Sequence, residues 1–353
     1  MPRIDEFLSD VLTRNGSDLH FIADDPPRLR VYDDLQTLRP DPLKADFVRE
    51  ALYEIMPPKA VARFEDKEGA DFAYSLPNVA RFRVNVMRQL NGMGAVLRVI
   101  PSAALTLDQL AMPEAVRTLC KANSGLILVT GKTGSGKSTT LAAMIDDINT
   151  RLKGHILTVE DPIEFVHQRK SCLISQREVG VHAPSFADAV HSALREDPDV
   201  VLVGEMRDLE TISVAVSAAE MGILVMGTLH TNGAAPTVDR IVNAFPSDKQ
   251  SHVRTMLSTS LRGVISQQLL PRAGQAGRVA ALEILVNTPA VQNLIRQGKI
   301  DQLENTMQSG ANFGMRTMDM AIQQLLDTKV ITGREAFRKA INKQRFEQFR
   351  NDG

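Results

Sequence analysis

Eight consecutive residues constrain this chain more than any other feature: Gly131-Lys132-Thr133-Gly134-Ser135-Gly136-Lys137-Ser138. They fit the spacing G-x-x-x-x-G-K-[ST] without deviation. Leu126 to Thr130 before them reads as a short apolar strand. Ser138 to Leu152 after them reads as a helix, with Leu141, Met144, Ile145, Ile148 and Leu152 on one face. Glycine is 22 of 353 residues. At that frequency the four fixed positions arise by chance in about one chain in a hundred of this length. A strand–loop–helix of this kind wraps backbone N–H groups around phosphate, and the helix N-terminus adds a positive dipole end. Residues Gly131, Lys132, Thr133, Gly134, Ser135, Gly136, Lys137, Ser138 and Thr139 are therefore expected to bind ATP. Lys137 should reach the β- and γ-phosphates, and the Ser138 hydroxyl should ligate Mg²⁺.

Three further strand ends carry chemistry. His155 to Val159 runs into Glu160-Asp161-Pro162-Ile163-Glu164. Such a cluster is ordinarily a solvated turn. At the C-terminal end of a parallel strand it lies beside the phosphate loop, where Glu160, Asp161 and Glu164 can orient water or position the metal. Asp199 to Val203 ends in Gly204-Glu205, the Walker B arrangement with Glu in place of the usual Asp. Glu205 can hold Mg²⁺ through water or polarise the attacking water. Leu224 to Leu229 ends in His230; a lone His is more often structural, but this position suits a γ-phosphate sensor. Phosphoryl transfer also needs positive charge. The candidates are Arg81 and Arg83 (one strand face by period two), Arg88, Arg98, Arg195 and Arg207.

Residues 1–100 read as a small α+β unit. Ile4 to Leu12 and Phe47 to Ile55 have helical spacing. Leu29 to Val31, Phe72 to Leu76, Ala80 to Val86 and Ala95 to Ile100 read as strands, with turns at Pro77-Asn78 and Asn91-Gly92. Pro101 ends this unit. From Gly125 onward bounded apolar runs alternate with helices, as in a parallel sheet covered on both faces. Val253, Met256, Leu257, Leu261, Val264 and Ile265 form a helical stripe that reads as core. Arg278 to Val286 is expected as a late strand, and the chain after Pro289 as mainly helical. The domains are thus 1–100 and 101–353.

Composition narrows the class. Lys plus Arg is 41 and Asp plus Glu is 42, a net charge of −1, which disfavours a protein that coats nucleic acid. Cys120 and Cys172 form no C-x-x-C pair, so a disulfide scaffold and a four-cysteine zinc site are excluded. No signal peptide and no membrane-length apolar run are read; the nearest, Thr211 to His230, is broken by Glu220. The expected location is cytoplasmic.

The combined motifs resemble the type II/IV secretion and type IV pilus superfamily of hexameric ATPases, most closely its twitching-motility (pilus-retraction) branch. The resemblance covers nearly the whole chain. It rests on Ser17-Asp18-Leu19-His20, Arg81-Phe82-Arg83-Val84-Asn85 and VTGKTGSGKSTTLAAMID from Val129. ILTVEDPIEFVH from Ile156, SALREDPDVVLVGEMRDLETI from Ser192 and GTLHTN from Gly227 complete it. It implies a PAS-like N-terminal domain followed by a RecA-like P-loop ATPase domain, assembled as a homohexamer. It further implies Glu164 as the catalytic carboxylate of an aspartate box, Glu205 as an atypical Walker B glutamate, His230 as part of a histidine box, and phosphate-contacting arginines in the N-terminal domain. The implied work is pilus retraction. Hydrolysis would change the angle between the domains, and the ring would act on an inner-membrane platform protein at the inner face of the cytoplasmic membrane. Membrane association would thus be indirect, and other pilus ATPases would be further partners.

The sequence departs from that pattern in three places. Lys132 stands where proline is usual. Met221-Gly222-Ile223 replaces Thr-Gly-His, removing the first histidine of the box. In the retraction motif around Asn293, Leu294, Ile295 and Arg296, Gln292 replaces an Arg and Gln297 a Glu. An accessory paralogue of the retraction motor therefore stays open. So does a pilus or type II secretion assembly ATPase, although the extra N-terminal domain and tetracysteine site frequent in that group are not read here. A RecA-like nucleic-acid motor and a small-molecule kinase are further alternatives; the low aromatic fraction of 5% counts against the former.

Overall fold

The computed structural model describes residues 2–31, 34–67, 69–77, 79–100, 104–275 and 277–352. The expected boundary residue Pro101 and turn residue Asn78 lie outside them. The chain divides into two compact units, Met1–Ala103 with Pro162–Val166, and Ala104–Asp161 with His167–Gly353.

The first unit is a six-stranded antiparallel sheet with helices. Its strands are β1 (Asp18–Ile22), β2 (Arg28–Val31), β3 (Asp34–Thr37), β4 (Gly69–Leu76), β5 (Ala80–Gln89) and β6 (Gly92–Ile100), in the spatial order β3-β2-β1-β6-β5-β4. Strand alternation sets its core: Phe82, Val84 and Val86 are buried while Arg83 and Asn85 are exposed. Helices Asp5–Thr13, Ala45–Tyr53 and Pro58–Lys67 add Phe7, Leu8, Val48, Leu52 and Phe64 to the same core. Strand β1 is short, and its alternation is only Leu19 and Phe21 between Asp18 and His20.

The second unit carries seven strands: β7 (Gly125–Thr130), β8 (His155–Glu160), β9 (Leu173–Glu178), β10 (Val200–Val203), β11 (Leu224–Leu229), β12 (Leu261–Pro271) and β13 (Arg278–Val286). Their order is β13-β12-β7-β11-β10-β8-β9, all parallel except the edge strand β13. The apolar runs are continuous because both faces are covered. Leu126, Leu128, Leu157, Val159, Val201 and Val203 pack with the helices Phe186–Ala193, Leu209–Glu220, Ala234–Asn243 and Gln250–Ser260. Ile127, Val129, Ile156, Val200, Leu202 and Met226 pack with helices Glu114–Cys120 and Lys137–Arg151. The C-terminal helices Met318–Asp327 and Gly333–Lys339 close over Leu270 and Ala281 in a separate cluster that includes Phe346.

One reading needs correction. The stripe from Val253 to Ile265 is not a single helix: the helix ends at Ser260, and Leu261, Val264 and Ile265 belong to β12. These three are fully buried in an interior strand. There both faces demand apolar residues, so the spacing carries no information about period. The apolar run from Thr211 to His230 is likewise a helix and a strand, separated at Gly222, whose φ of +101° suits glycine.

Candidate active site

Strands β7, β8, β10 and β11 run parallel, so their C-terminal ends lie at one edge of the sheet. That edge is where open α/β sheets build ligand sites. From it emerge the glycine-rich loop after Thr130, the acidic turn after Val159, Gly204-Glu205 after Val203, and His230 after Leu229.

The loop opens into helix Lys137–Arg151, with Gly131, Gly134 and Gly136 at φ of +142°, +78° and +87°. Lys137 is 8% exposed. Its Nζ donates to the carbonyls of Gly131 at 3.0 Å and Lys132 at 3.3 Å, and lies 3.5 Å from Nδ1 of His230. Ser135 Oγ is buried without a hydrogen-bond partner among the described residues, and a Cβ on Gly134 would meet nothing within 4 Å. A buried orphan hydroxyl beside open backbone and a lysine ammonium suits an oxyanion such as phosphate.

His230 Nε2 lies 2.9 Å from Oε1 of Glu205, and that same oxygen accepts from Arg207 Nε. Partial burial opposes ionisation of Glu205, but Arg207 and His230 outweigh it and hold the carboxyl below its usual range. The Glu205 carboxylate in turn raises the Arg207 guanidinium. With Lys132, Thr133 and Asn232, the residues Glu205, Arg207 and His230 line a cleft of about 630 Å³.

The structure thus brings together Lys132, Thr133, Lys137, Glu205, Arg207 and His230. Ser138 and Thr139 sit half-buried in the first turn of the loop helix. Glu160 accepts from Thr158 Oγ1 at 2.8 Å and Gln176 Nε2 at 3.4 Å. Glu164 is exposed and belongs to the first unit. Arg81, Arg83, Arg88 and Arg98 also belong to the first unit. There Arg83 faces Arg98 across β5 and β6, Arg98 Nε donates to Asp18 at 2.7 Å, and Arg88 lies over the Phe64 ring. Arg195 is exposed beyond helix Phe186–Ala193 and is not among the cleft residues. In helix Pro289–Gln297, Asn293 and Arg296 are exposed, Leu294 is half-buried and Ile295 is buried; Gln297 Nε2 donates to Asn293 Oδ1 at 3.1 Å.

Two residues that motif reasoning passes over hold these loops. Gln267 of β12 donates from Nε2 to the Ser135 carbonyl at 2.6 Å and accepts from Thr140 Oγ1 at 2.7 Å. Its neighbour Ser266 accepts from the Gly233 N–H at 2.8 Å, just past His230. The available signal was a polar Ser266-Gln267-Gln268 run inside an apolar strand.

Residues 1–338 match the family described as type II/IV secretion system protein. The type IV pilus retraction ATPase PilT of Pseudomonas aeruginosa is 50% identical over 337 residues, 96% of this chain and 98% of that protein. A twitching motility protein of Neisseria gonorrhoeae is 50% identical over 318 residues, 90% of this chain and 85% of that one. A crystal structure of the pilus retraction motor PilT with bound ADP superposes with a TM-score of 0.91 at 42% identity, covering 98% of this chain and 99% of that one.

Proposed function

This chain belongs to the type II/IV secretion system protein family, and from that premise we propose that it is an ATP-hydrolysing motor that powers type IV pilus retraction. One observation carries the reading. Lys137, His230, Glu205 and Arg207 form a continuous polar chain at the parallel-sheet edge, in a chain that matches a retraction ATPase over 96% of its length.

Loop residues 131–139 bind the phosphates of ATP, with Lys137 at the β- and γ-phosphates. Ser138 and Glu205, aided by Glu160, would hold Mg²⁺; hydroxyl and carboxylate oxygens suit that ion. No cluster of three or more His, Cys, Asp or Glu forms a metal site among the described residues. When bound, Mg²⁺ supplies neutralisation of phosphate charge. Glu205, ionised by Arg207 and His230, orients water or the metal shell, and His230 senses the terminal phosphate. By resemblance, Glu164 is the catalytic carboxylate, Arg81, Arg83, Arg88, Arg98 and Arg195 are phosphate contacts, and Asn293 to Arg296 form the retraction motif. We further assign a homohexamer acting through an inner-membrane platform protein at the cytoplasmic face. No helix among the described residues is long and apolar enough to cross a membrane.

Deletion of the gene in its host tests the direction of work. Hyperpiliated cells without twitching support retraction, and bald cells transfer the chain to assembly. Gln292 and Gln297 in the retraction motif favour a second reading, an accessory paralogue; twitching that persists in the deletion strain selects it.

A further inference from the structure

Gln267 meets the phosphate loop at Gly131, Ser135 and Gly136, and the helix behind it at Thr140. It is 3% exposed. Its amide bonds the Ser135 carbonyl and the Thr140 hydroxyl. Its main-chain carbonyl occupies the space that a Cβ on Gly131 would need, and its Nε2 lies 2.8 Å from where a Cβ on Gly136 would sit. Two of the loop glycines therefore make room for Gln267, in addition to any service to phosphate.

We propose that Gln267 is a positioning residue for nucleotide binding, holding loop 131–138 in its phosphate-ready shape before nucleotide arrives. The inference rests on the reading of this loop as the ATP site. A loop with three glycines at positive φ has many accessible conformations, and ordering it at the moment of binding costs affinity. The trans peptide places N–H opposite C=O. Fixing the Ser135 carbonyl against β12 therefore turns the Gly136 N–H away from that strand, and keeps the carbonyl from facing a phosphate. The task needs one donor and one acceptor on a single side chain, which glutamine supplies. Glutamate loses the donor and sets a carboxylate against a carbonyl; methionine keeps the volume and loses both bonds. The same strand braces the second loop. Ser266 takes the Gly233 N–H, and Glu283, its register partner on β13, takes the Ala234 N–H at 2.6 Å.

The test uses the purified full-length chain and titration with a fluorescent ADP analogue, alongside steady-state ATP hydrolysis. Gln267→Met should weaken analogue binding about tenfold, the effect of losing buried hydrogen bonds at a preorganised site. KM for ATP should rise by a similar factor, with a smaller change in kcat. Thr140→Val should weaken binding less, and should add nothing further in the Gln267→Met background. Affinity within twofold of wild type in Gln267→Met overturns the proposal, as does a loss confined to kcat that follows a lowered Tm. If Gln267→Met does not fold, Thr140→Val decides alone, and unchanged affinity there overturns it. Wild-type protein that fails to bind the analogue, or Lys137→Ala that binds it normally, overturns the nucleotide reading instead.

Discussion

His230 faces Glu205 across two adjacent parallel strands: its Nε2 lies 2.9 Å from Glu205 Oε1, while its Nδ1 lies 3.5 Å from Lys137 Nζ. Strands β10 and β11 pair in register, Val203 opposite Gly227. The residues that leave those strands therefore meet just beyond the sheet edge. A ring with its proton on Nε2 donates to the carboxylate and offers a lone pair to the ammonium. One imidazole thus links the lysine of the glycine-rich loop to the strand-end glutamate.

Removing the charge from Glu205 tests that link. Glu205→Gln keeps the shape and loses the carboxylate. ATP hydrolysis is expected to fall about a hundredfold or more, in the range seen for loss of a charge-stabilising group, with nucleotide affinity nearly retained. Turnover in the purified variant close to wild type removes Glu205 from the chemistry.

The acid side of the pH profile follows from Arg207. Burial pushes the Glu205 carboxyl up, and Arg207 and His230 outweigh it, so it titrates below its ordinary value of 4.5. The ionised form, and the stability it adds, is complete above that value and is lost as pH falls through the folded-state pKa. In Arg207→Ala burial meets less opposition, so the carboxyl rises. The acid limb of hydrolysis at saturating ATP is then expected at higher pH than in wild type. Coincident acid limbs would falsify control of Glu205 by Arg207.

Much of this site is legible in the sequence because parallel strands put their C-terminal residues at one edge. Gly131–Ser138, Glu205 and His230 each follow an apolar run, and topology then does the gathering. Gln267 is legible only as part of a polar run in an apolar strand; what it meets depends on β12 lying beside β7, a pairing of distant segments. The same limit hides Asp18, whose carboxylate meets Arg98 across β1 and β6. Periodicity failed at Leu261 to Ile265 for the opposite reason: full burial makes strand and helix patterns identical there.

Lys137 braces its own loop through the Gly131 and Lys132 carbonyls, in addition to the phosphate contact proposed for it. Lys137→Ala removes both functions. Hydrolysis is expected to drop to background and nucleotide affinity by about a hundredfold or more, while circular dichroism retains the native fold. Turnover within a few-fold of wild type would place the phosphate site elsewhere.

Phe346 anchors the C-terminal segment Lys343–Phe349 to the second unit. Its ring is fully buried, in a cluster with Leu270 of β12, Ala281 of β13, and Met318, Ile322 and Ala336 of the C-terminal helices. Truncation to alanine leaves a cavity that the surrounding helices fill only in part, at a cost of about 3–5 kcal/mol. For a unit of this size that corresponds to a Tm lowered on the order of 10 °C. The nucleotide loops contact β12 at Ser266 and Gln267, and Leu270, against which the Phe346 cluster packs, lies further along the same strand. Affinity for ADP measured well below the new Tm is therefore expected to stay near wild type. A Phe346→Ala variant that melts at the wild-type temperature would mean that this segment adds no packing to the sheet. One that stays folded but loses ADP affinity would mean that the cluster sets the geometry of β12 at the loops.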